Sequence, residues 1–295
     1  MTLQHNDTVI ITSPAGRVLD ENIDNAIQIL SSWGLNVLLA PNAKKEYFNF
    51  SGTEEERLHD LQWALDHPEA KAIFASRGGY GAVHLLDKLD WAMFKKYPKL
   101  LIGYSDICNF HGHINNLGFD SLHALMPNSF PKLGTSNSSL DTLKQALFLP
   151  SYSLEWASPI KCEDAQVSAE VVGGNLSILY SLQGTAYAPN YKDKILFIED
   201  VNEYLYHIDR MLHSFKLSHA FDHIKGLIVG DFSDMKDNDV PFGKSLEAIV
   251  MDVFSSFGIP IIFGLNVGHA TPSLALPLGK KGSLHIKDQK CRLLF

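Results

Sequence analysis

Cysteine is scarce. Cys108, Cys162 and Cys291 are the only three in 295 residues, odd in number and without CxxC spacing. That excludes a disulfide framework and fits reduced thiols in a cytoplasmic protein. Long apolar runs are missing too, and no stretch approaches the roughly 20 residues that a membrane-crossing helix needs. There is no run of Lys or Arg, and 25 basic against 33 acidic side chains leave a net charge of -8. A balance of that sign excludes a broad surface for nucleic acid or anionic membrane, although not a small basic pocket. The segment Met1–Asp7 lacks the basic and apolar regions of a signal peptide. No internal repeat or low-complexity tract interrupts the chain.

What is present is an ordinary globular composition, 45% hydrophobic and 20% charged, in a chain long enough for about two domains. Short apolar runs alternate with amphipathic segments through the first half. Thr8–Thr12, Leu35–Leu39, Lys71–Ala75 and Lys99–Gly103 read as buried strands. Between them, Ile23, Ile27, Leu30 and Trp33 recur at helical spacing after Asp20, a candidate cap. Leu58, Leu61 and Leu65 make a second stripe over Glu54–Asp66, and Val83–Leu89 a third. The alternation predicts an α/β fold whose N-terminal part is a doubly wound parallel sheet, Rossmann-like or flavodoxin-like. Pro150, Pro159 and a Ser-rich stretch place a domain boundary near Phe148–Asp164. The expected units are 1–150 and a smaller α+β domain over 165–295. Strands there are expected at Gln166–Val172, Lys194–Ile198, Gly226–Val229 and Pro260–Phe263, with a helix over Asn202–Phe215. A terminal hairpin should turn at Asp288-Gln289.

Chemistry-bearing residues gather where these strands end, the edge at which such sheets bind ligands. Lys99–Gly103 runs straight into Tyr104-Ser105-Asp106 and a helical segment, Ile107–Leu117. A sharp strand–turn–helix connection lifts its middle residue off the sheet edge and aims helical N–H groups at whatever that side chain attacks. Ser105 therefore suits a nucleophile, and the N–H of Asp106 an oxyanion donor. The elbow is incomplete, because Ile107 stands where hydrolases carry glycine; on local sequence alone a capping or turn serine is the better reading. Ser76-Arg77-Gly78-Gly79-Tyr80-Gly81 follows another strand. Its glycines admit a ligand close to the backbone as a phosphate cradle or half an oxyanion hole, or simply make a tight turn. It has neither the P-loop lysine nor GxGxxG spacing.

Farther on, His269 lies in a loop beyond Pro260–Phe263, where a histidine can serve as general base. Glu199-Asp200 ends Lys194–Ile198. A carboxylate there can fix an imidazole tautomer, although Asp200 equally suits a cap for the helix that follows. Asp209-Arg210 reads as an ion pair. His111-Gly112-His113 has no acidic or Cys/His companion at ligand spacing, so no metal site is expected.

Taken together, Ser76–Gly81 (SRGGYG), Gly103–Asp106 (GYSD), Gly173–Leu176 (GGNL), Glu199-Asp200 with Ile208-Asp209-Arg210, and Gly268-His269 followed by Leu276–Gly279 (LPLG) stand in the order seen in LD-carboxypeptidases. The chain resembles that serine peptidase family, which also contains the microcin C self-immunity peptidases. The resemblance spans Ser13 to Gly279. It implies a cofactor-free, metal-independent triad of Ser105, Glu199 and His269, with an oxyanion hole from Asp106 and one of Gly78 or Gly79. It implies a cytoplasmic homodimer that removes the terminal D-alanine of a murein tetrapeptide during cell-wall recycling. Arg77 is then a candidate clamp for the substrate carboxylate, or a brace for its own turn. An aminoacyl-nucleotide substrate and a non-catalytic binding role are the rival expectations. One departure stands out: the family's nucleophile turn usually continues into Thr, and this chain has Cys108.

Overall fold

The computed structural model describes residues 1–135 and 137–295. The strands are β1 (Thr8–Thr12), β2 (Asn36–Leu39), β3 (Ala70–Ala75), β4 (Leu100–Ile102), β5 (Ser121–His123), β6 (Ser153–Ala157), β7 (Ala165–Asn175), β8 (Ile195–Val201), β9 (Gly226–Ser233), β10 (Ile261–Phe263), β11 (Leu276–Leu278), β12 (Lys281–Lys287) and β13 (Lys290–Leu294). The helices are α1 (Asp20–Ser32), α2 (Glu54–Asp66), α3 (Ala92–Lys96), α4 (Cys108–Asn116), α5 (Ser138–Phe148), α6 (Leu176–Ser181), α7 (Leu205–Leu217) and α8 (Leu246–Phe254).

Among the described residues the strands form two sheets, ordered β11-β5-β4-β3-β1-β2 and β10-β9-β8-β7-β12-β13-β6. In the first, β2-β1-β3-β4-β5 run parallel, the flavodoxin-like order whose switch point lies between β1 and β3. Side chains alternate across this sheet. Ile10, Ile73 and Leu101 pack with Leu61 and Leu65 of α2 and Phe110 and Ile114 of α4. On the other face, Val9, Ile11, Phe74 and Ile102 pack with Ile29 and Leu30 of α1 and Leu143 and Leu147 of α5. Helices thus cover both faces, as the α/β alternation requires.

The second sheet has a parallel half, β10-β9-β8-β7, and an antiparallel half of β12, β13 and β6. Ile208, Met211 and Phe215 of α7 and Ile249, Val253 and Phe254 of α8 cover one face of the parallel half. The terminal hairpin turns at Asp288 and Gln289, both with positive φ (49° and 63°), the backbone twist that two-residue hairpins favour. One segment crosses between the sheets: β11 pairs antiparallel with β5, setting Leu276 opposite His123. Pro277 is tolerated there because β11 is an edge strand. We propose 1–150 and 165–295 as the two folding units, with β11 as the segment of the second that completes the sheet of the first.

Several local expectations are corrected. Asp20 is the first residue inside α1, preceded by Leu19 and without a side-chain capping bond; its charge acts on the helix dipole instead. Thr53 does cap, through a reciprocal box with Glu56. Val83–Leu89 is not an α-helix: a short 3-10 turn, Ala82–Leu85, follows Gly81. The helix expected from Ile107 starts at Cys108, after a 3-10 turn over Ser105–Ile107. β6 occupies the stretch read as irregular, and β5, α5, α6 and α8 had not been expected.

Gly173, inside β7, has φ of 135°, and a Cβ there would collide with the carbonyl oxygen of Phe197 on β8. Gly173→Ala is expected to destabilise the fold by about 3 kcal/mol or more, read as a lower urea midpoint. An unchanged midpoint would mean that the β7–β8 register is not the constraint described here.

Candidate active site

The turn that carries Ser105 is strained. Ser105 has φ of 61°, a left-handed conformation uncommon for a residue with a Cβ. Close approach of its neighbours makes that turn possible. A Cβ on Gly78 would lie 2.8 Å from Ser105 Cβ, 3.0 Å from its Oγ and 3.2 Å from the Asp106 nitrogen. A Cβ on Gly103 would lie 2.9 Å from the Ile107 side chain. Ile107 is therefore accommodated two residues after the serine because glycine stands two residues before it. Gly78 also accepts the Gly16 N–H through its carbonyl at 2.8 Å, joining the loops that follow β1 and β3. Among the described residues, Asp106, Gly78 and Gly79 donate their N–H groups to no backbone acceptor.

The Asp106 side chain binds the two turns together. Its Oδ2 accepts the Ala82 N–H at 2.8 Å, and Asn109 donates to its Oδ1 at 3.0 Å. Burial pushes the Asp106 carboxyl up to about 6 against the Ala82 N–H, the nearby Arg57 charge and the Asn109 donor, which lower it. Arg57, itself buried, donates to the carbonyls of Pro14 and Gly81 at 2.8 and 2.9 Å. Arg77 is exposed, and its Nη1 donates to the Arg17 carbonyl at 2.6 Å. It braces two loops beside the turn. His111 Nε2 donates to the Gly103 carbonyl at 2.9 Å, and His113 packs on Trp91 and Tyr187.

Glu199 lies fully buried near the end of β8, and His269 Nδ1 meets its Oε2 at 2.8 Å. A carboxylate only accepts, so Nδ1 carries the proton and Nε2 keeps its lone pair. Burial alone would raise the Glu199 carboxyl, but His123 and His269 outweigh it and hold it well below the usual carboxylate range. Burial likewise works against the charged form of His269, yet the hydrogen bond and charge of Glu199 raise it above the ordinary histidine value. The His269 loop is fixed as well: Ala270 N–H donates to Asp231 at 2.6 Å, and Ser273 Oγ donates to the Gly268 carbonyl at 2.9 Å. Tyr104, one residue before Ser105, packs edge-on against the His269 ring, centroids 4.9 Å apart.

Asp200 does not cap α7. Its carboxylate accepts the Ser177 N–H at 2.9 Å, at the start of α6, and the Asn175 amide at 3.0 Å. Burial and then repulsion from Glu199 push it up to about 6. Asp209 lies 3.7 Å from His213, while Arg210 lies over the Tyr206 ring, so they form no pair with each other. The geometry brings Gly78 and Asp106 to Ser105 and brings Glu199 to His269. No Ser105–His269 hydrogen bond is formed among the described residues, an arrangement that free enzymes often show before substrate tightens it.

Two contributors escaped the sequence: Tyr104, which walls His269, and His123, whose Nε2 sits 3.4 Å from Glu199 Oε1. Tyr104 was visible only as a letter in GYSD, and His123 ends a three-residue strand without a motif. Cys108, His123 and Glu199 together have the composition of a metal site, their ligand atoms within 4.8 Å of one another. Burial pushes the Cys108 thiol up and keeps it protonated, and its Sγ accepts the Asn175 N–H at 3.3 Å.

Imidazole titration by NMR should place His269 above the ordinary histidine value, and Glu199→Gln should lower it, because burial then acts with little opposition. A His269 that titrates identically in both proteins would remove Glu199 as the cause.

With this geometry in place, the chain can be compared with known proteins. The LD-carboxypeptidase N-terminal domain model matches residues 9–124, and the LD-carboxypeptidase C-terminal domain model matches residues 168–284. The probable murein peptide carboxypeptidase of Bacillus subtilis is 31% identical over 302 aligned positions, covering 97% of this chain and 91% of that protein. The crystal structure of muramoyltetrapeptide carboxypeptidase from Oxalobacter formigenes has a TM-score of 0.87 at 32% identity, covering 97% of this chain and 98% of that one. The microcin C7 self-immunity protein MccF of Escherichia coli is 26% identical over 301 positions, covering 92% of this chain and 87% of that protein. Among the described residues, no helix is long and apolar enough to cross a membrane. By its two domain matches and its full-length likeness to the Bacillus protein, the chain belongs to the LD-carboxypeptidase family of serine peptidases.

Proposed function

We propose that this enzyme releases the terminal D-alanine from murein tetrapeptide at its L,D bond, in cytoplasmic cell-wall recycling, through a triad of Ser105, His269 and Glu199. The observation that carries this reading is the buried His269–Glu199 hydrogen bond beside a serine held at positive φ against a glycine-rich turn. Support for the substrate comes from the names of the Bacillus and Oxalobacter relatives.

Ser105 Oγ attacks the carbonyl carbon that precedes the terminal D-residue as His269 Nε2 takes the hydroxyl proton. The tetrahedral oxyanion rests on the N–H of Asp106 and of Gly78 or Gly79. His269 then passes its proton to the leaving amine and the C–N bond breaks. Water, deprotonated by the same imidazole, splits the acyl-enzyme and frees Ser105. Glu199 holds Nδ1–H throughout and stabilises the imidazolium. Arg77 is assigned to the substrate's free carboxylate, and the working unit to a homodimer. The likeness to MccF favours a nucleotide-linked aminoacyl compound as the second reading.

Incubation with murein tetrapeptide should release D-alanine, and Ser105→Ala should lower turnover by about 1000-fold or more. Retained turnover in that variant, or turnover of aminoacyl-nucleotide in place of tetrapeptide, overturns the reading. Because His269 must be neutral to accept the proton, activity should fall as pH drops through its raised pKa. The acid limb of kcat/KM therefore lies above the ordinary histidine value, and a limb below that value counts against His269 as the base. Gly78→Ala, which fills the space against Ser105, should cost about 100-fold or more in kcat while the protein stays folded. A folded variant with full activity would show that the turn does not confine the nucleophile.

A further inference from the structure

The orphaned oxygen of Glu199 and an unused buried histidine face each other. Oε2 of Glu199 is taken by His269, but Oε1 has no hydrogen-bond partner, and neither ring nitrogen of His123 has one. Both side chains are fully buried. Their separation, His123 Nε2 to Glu199 Oε1, is 3.4 Å. A buried carboxylate oxygen without a donor is costly, and the nearest donor at hand is this imidazole.

We propose that His123 is a positioning residue of the catalytic machinery, donating Nε2–H to Glu199 Oε1 so that the acid is held between two histidines. The inference rests on the assignment of Glu199 and His269 to the triad. β5 delivers His123 to this spot, and its partner β11 follows the His269 loop directly in the chain. Phe197, two residues before Glu199, packs edge-on against the His123 ring at 5.3 Å between centroids, which orients it. The titratable groups facing His123 are Tyr104 on the nucleophile turn, Cys108 and His111 on α4, and Glu199 on β8. Of these, only Glu199 stands as an anion that needs a donor: burial pushes the Cys108 thiol and the Tyr104 hydroxyl up, and His111 donates to Gly103. The active form of the His269–Glu199 pair carries one buried negative charge. A donor on Oε1 stabilises that form against protonation, so losing it must raise the pH at which the pair takes up a proton.

The test compares His123→Phe, which keeps ring volume without a donor, with His123→Gln, whose amide can donate near the Nε2 position. The readout is the pH dependence of Ser105 phosphonylation by a fluorophosphonate, in which Oγ bonds to phosphorus and fluoride leaves, and which needs the triad but no peptide substrate, followed by kcat and KM on murein tetrapeptide. His123→Phe should lower the phosphonylation rate and kcat by roughly 10- to 100-fold, as lost supporting hydrogen bonds do around other sites, with little change in KM. Its acid limb should move to higher pH, and His123→Gln should restore much of the rate and the position of the limb. A wild-type enzyme that is phosphonylated at Ser105 but does not release D-alanine would fail the substrate assignment and leave this inference standing. A wild-type enzyme that is not phosphonylated at Ser105 would end both. A His123→Phe enzyme with wild-type rates, a loss with an unmoved acid limb, or a Gln variant as impaired as Phe would overturn the role of His123. Nitrogen NMR of the imidazole in the unmodified protein gives a check that needs no variant to fold: the proton belongs on Nε2, and a proton on Nδ1 alone overturns the inference.

Discussion

Everything at this site depends on keeping one carboxylate ionised where water cannot reach it. Glu199 has no exposure, and moving a carboxylate out of water costs several kcal/mol unless nearby donors compensate. The chain meets that demand from two elements outside β8: the loop that carries His269 and the strand that ends in His123. Compensation also leaves its mark on the neighbours. Asp200, adjacent in sequence, is pushed up by burial and by Glu199's charge, and its oxygens are satisfied by the N–H groups of Ser177 and Val201 and by the Asn175 amide. Two adjacent acids thus have opposite electrostatic fates, and their surroundings decide which one serves the histidine.

Close backbone approach is the second constraint, and it explains why the site straddles the two sheets. The Ser105 turn rises from the sheet of β1–β5, while Glu199 and His269 belong to the second half of the chain. The two meet where α4 lies on β7, and there Gly174 leaves room for Cys108: a Cβ on Gly174 would sit 2.6 Å from Cys108 Sγ. On the other side of the turn, Gly78 leaves room for Ser105 itself. Pairing of β11 with β5 closes the assembly, so the strand after the His269 loop is tied to the strand that presents His123. Relative placement of Ser105, His269 and Glu199 is therefore set by packed strands and a fixed turn rather than by long side chains reaching across open space.

Much of this was legible in the amino-acid sequence because the signals were local. Short continuous apolar runs located β1 and β3, a helical stripe gave α2 with its bounds, and the strand-to-turn position of Ser105 marked the turn. Other features were set by distant partners and left no pattern nearby. β5 is only three residues long and exists because β4 and β11 flank it. The turn after Gly81 reads as helical from its leucines, yet Asp106, 24 residues on from Ala82, takes the first N–H and the segment stays a short 3-10 turn. Asp200 reads as the cap of the following helix, but the β7–β8 register, which sets Asn175 opposite Glu199, brings the start of α6 within its reach instead. His123 could not be singled out, since its importance lies in an oxygen 76 positions away.

The cysteine in the nucleophile turn can be interpreted in the same terms. Where the resemblance leads one to expect threonine, Cys108 is wholly buried, and its Sγ accepts the backbone N–H of Asn175, a task that a hydroxyl oxygen performs equally well. The thiol stays neutral because burial raises it, so it adds no second anion beside Glu199 and offers no competing nucleophile to substrate. What the position requires is a small side chain that accepts one hydrogen bond and carries no charge against the back of the turn. Threonine and cysteine both meet that requirement, which is why this departure leaves the acid–histidine pair and the strained serine intact.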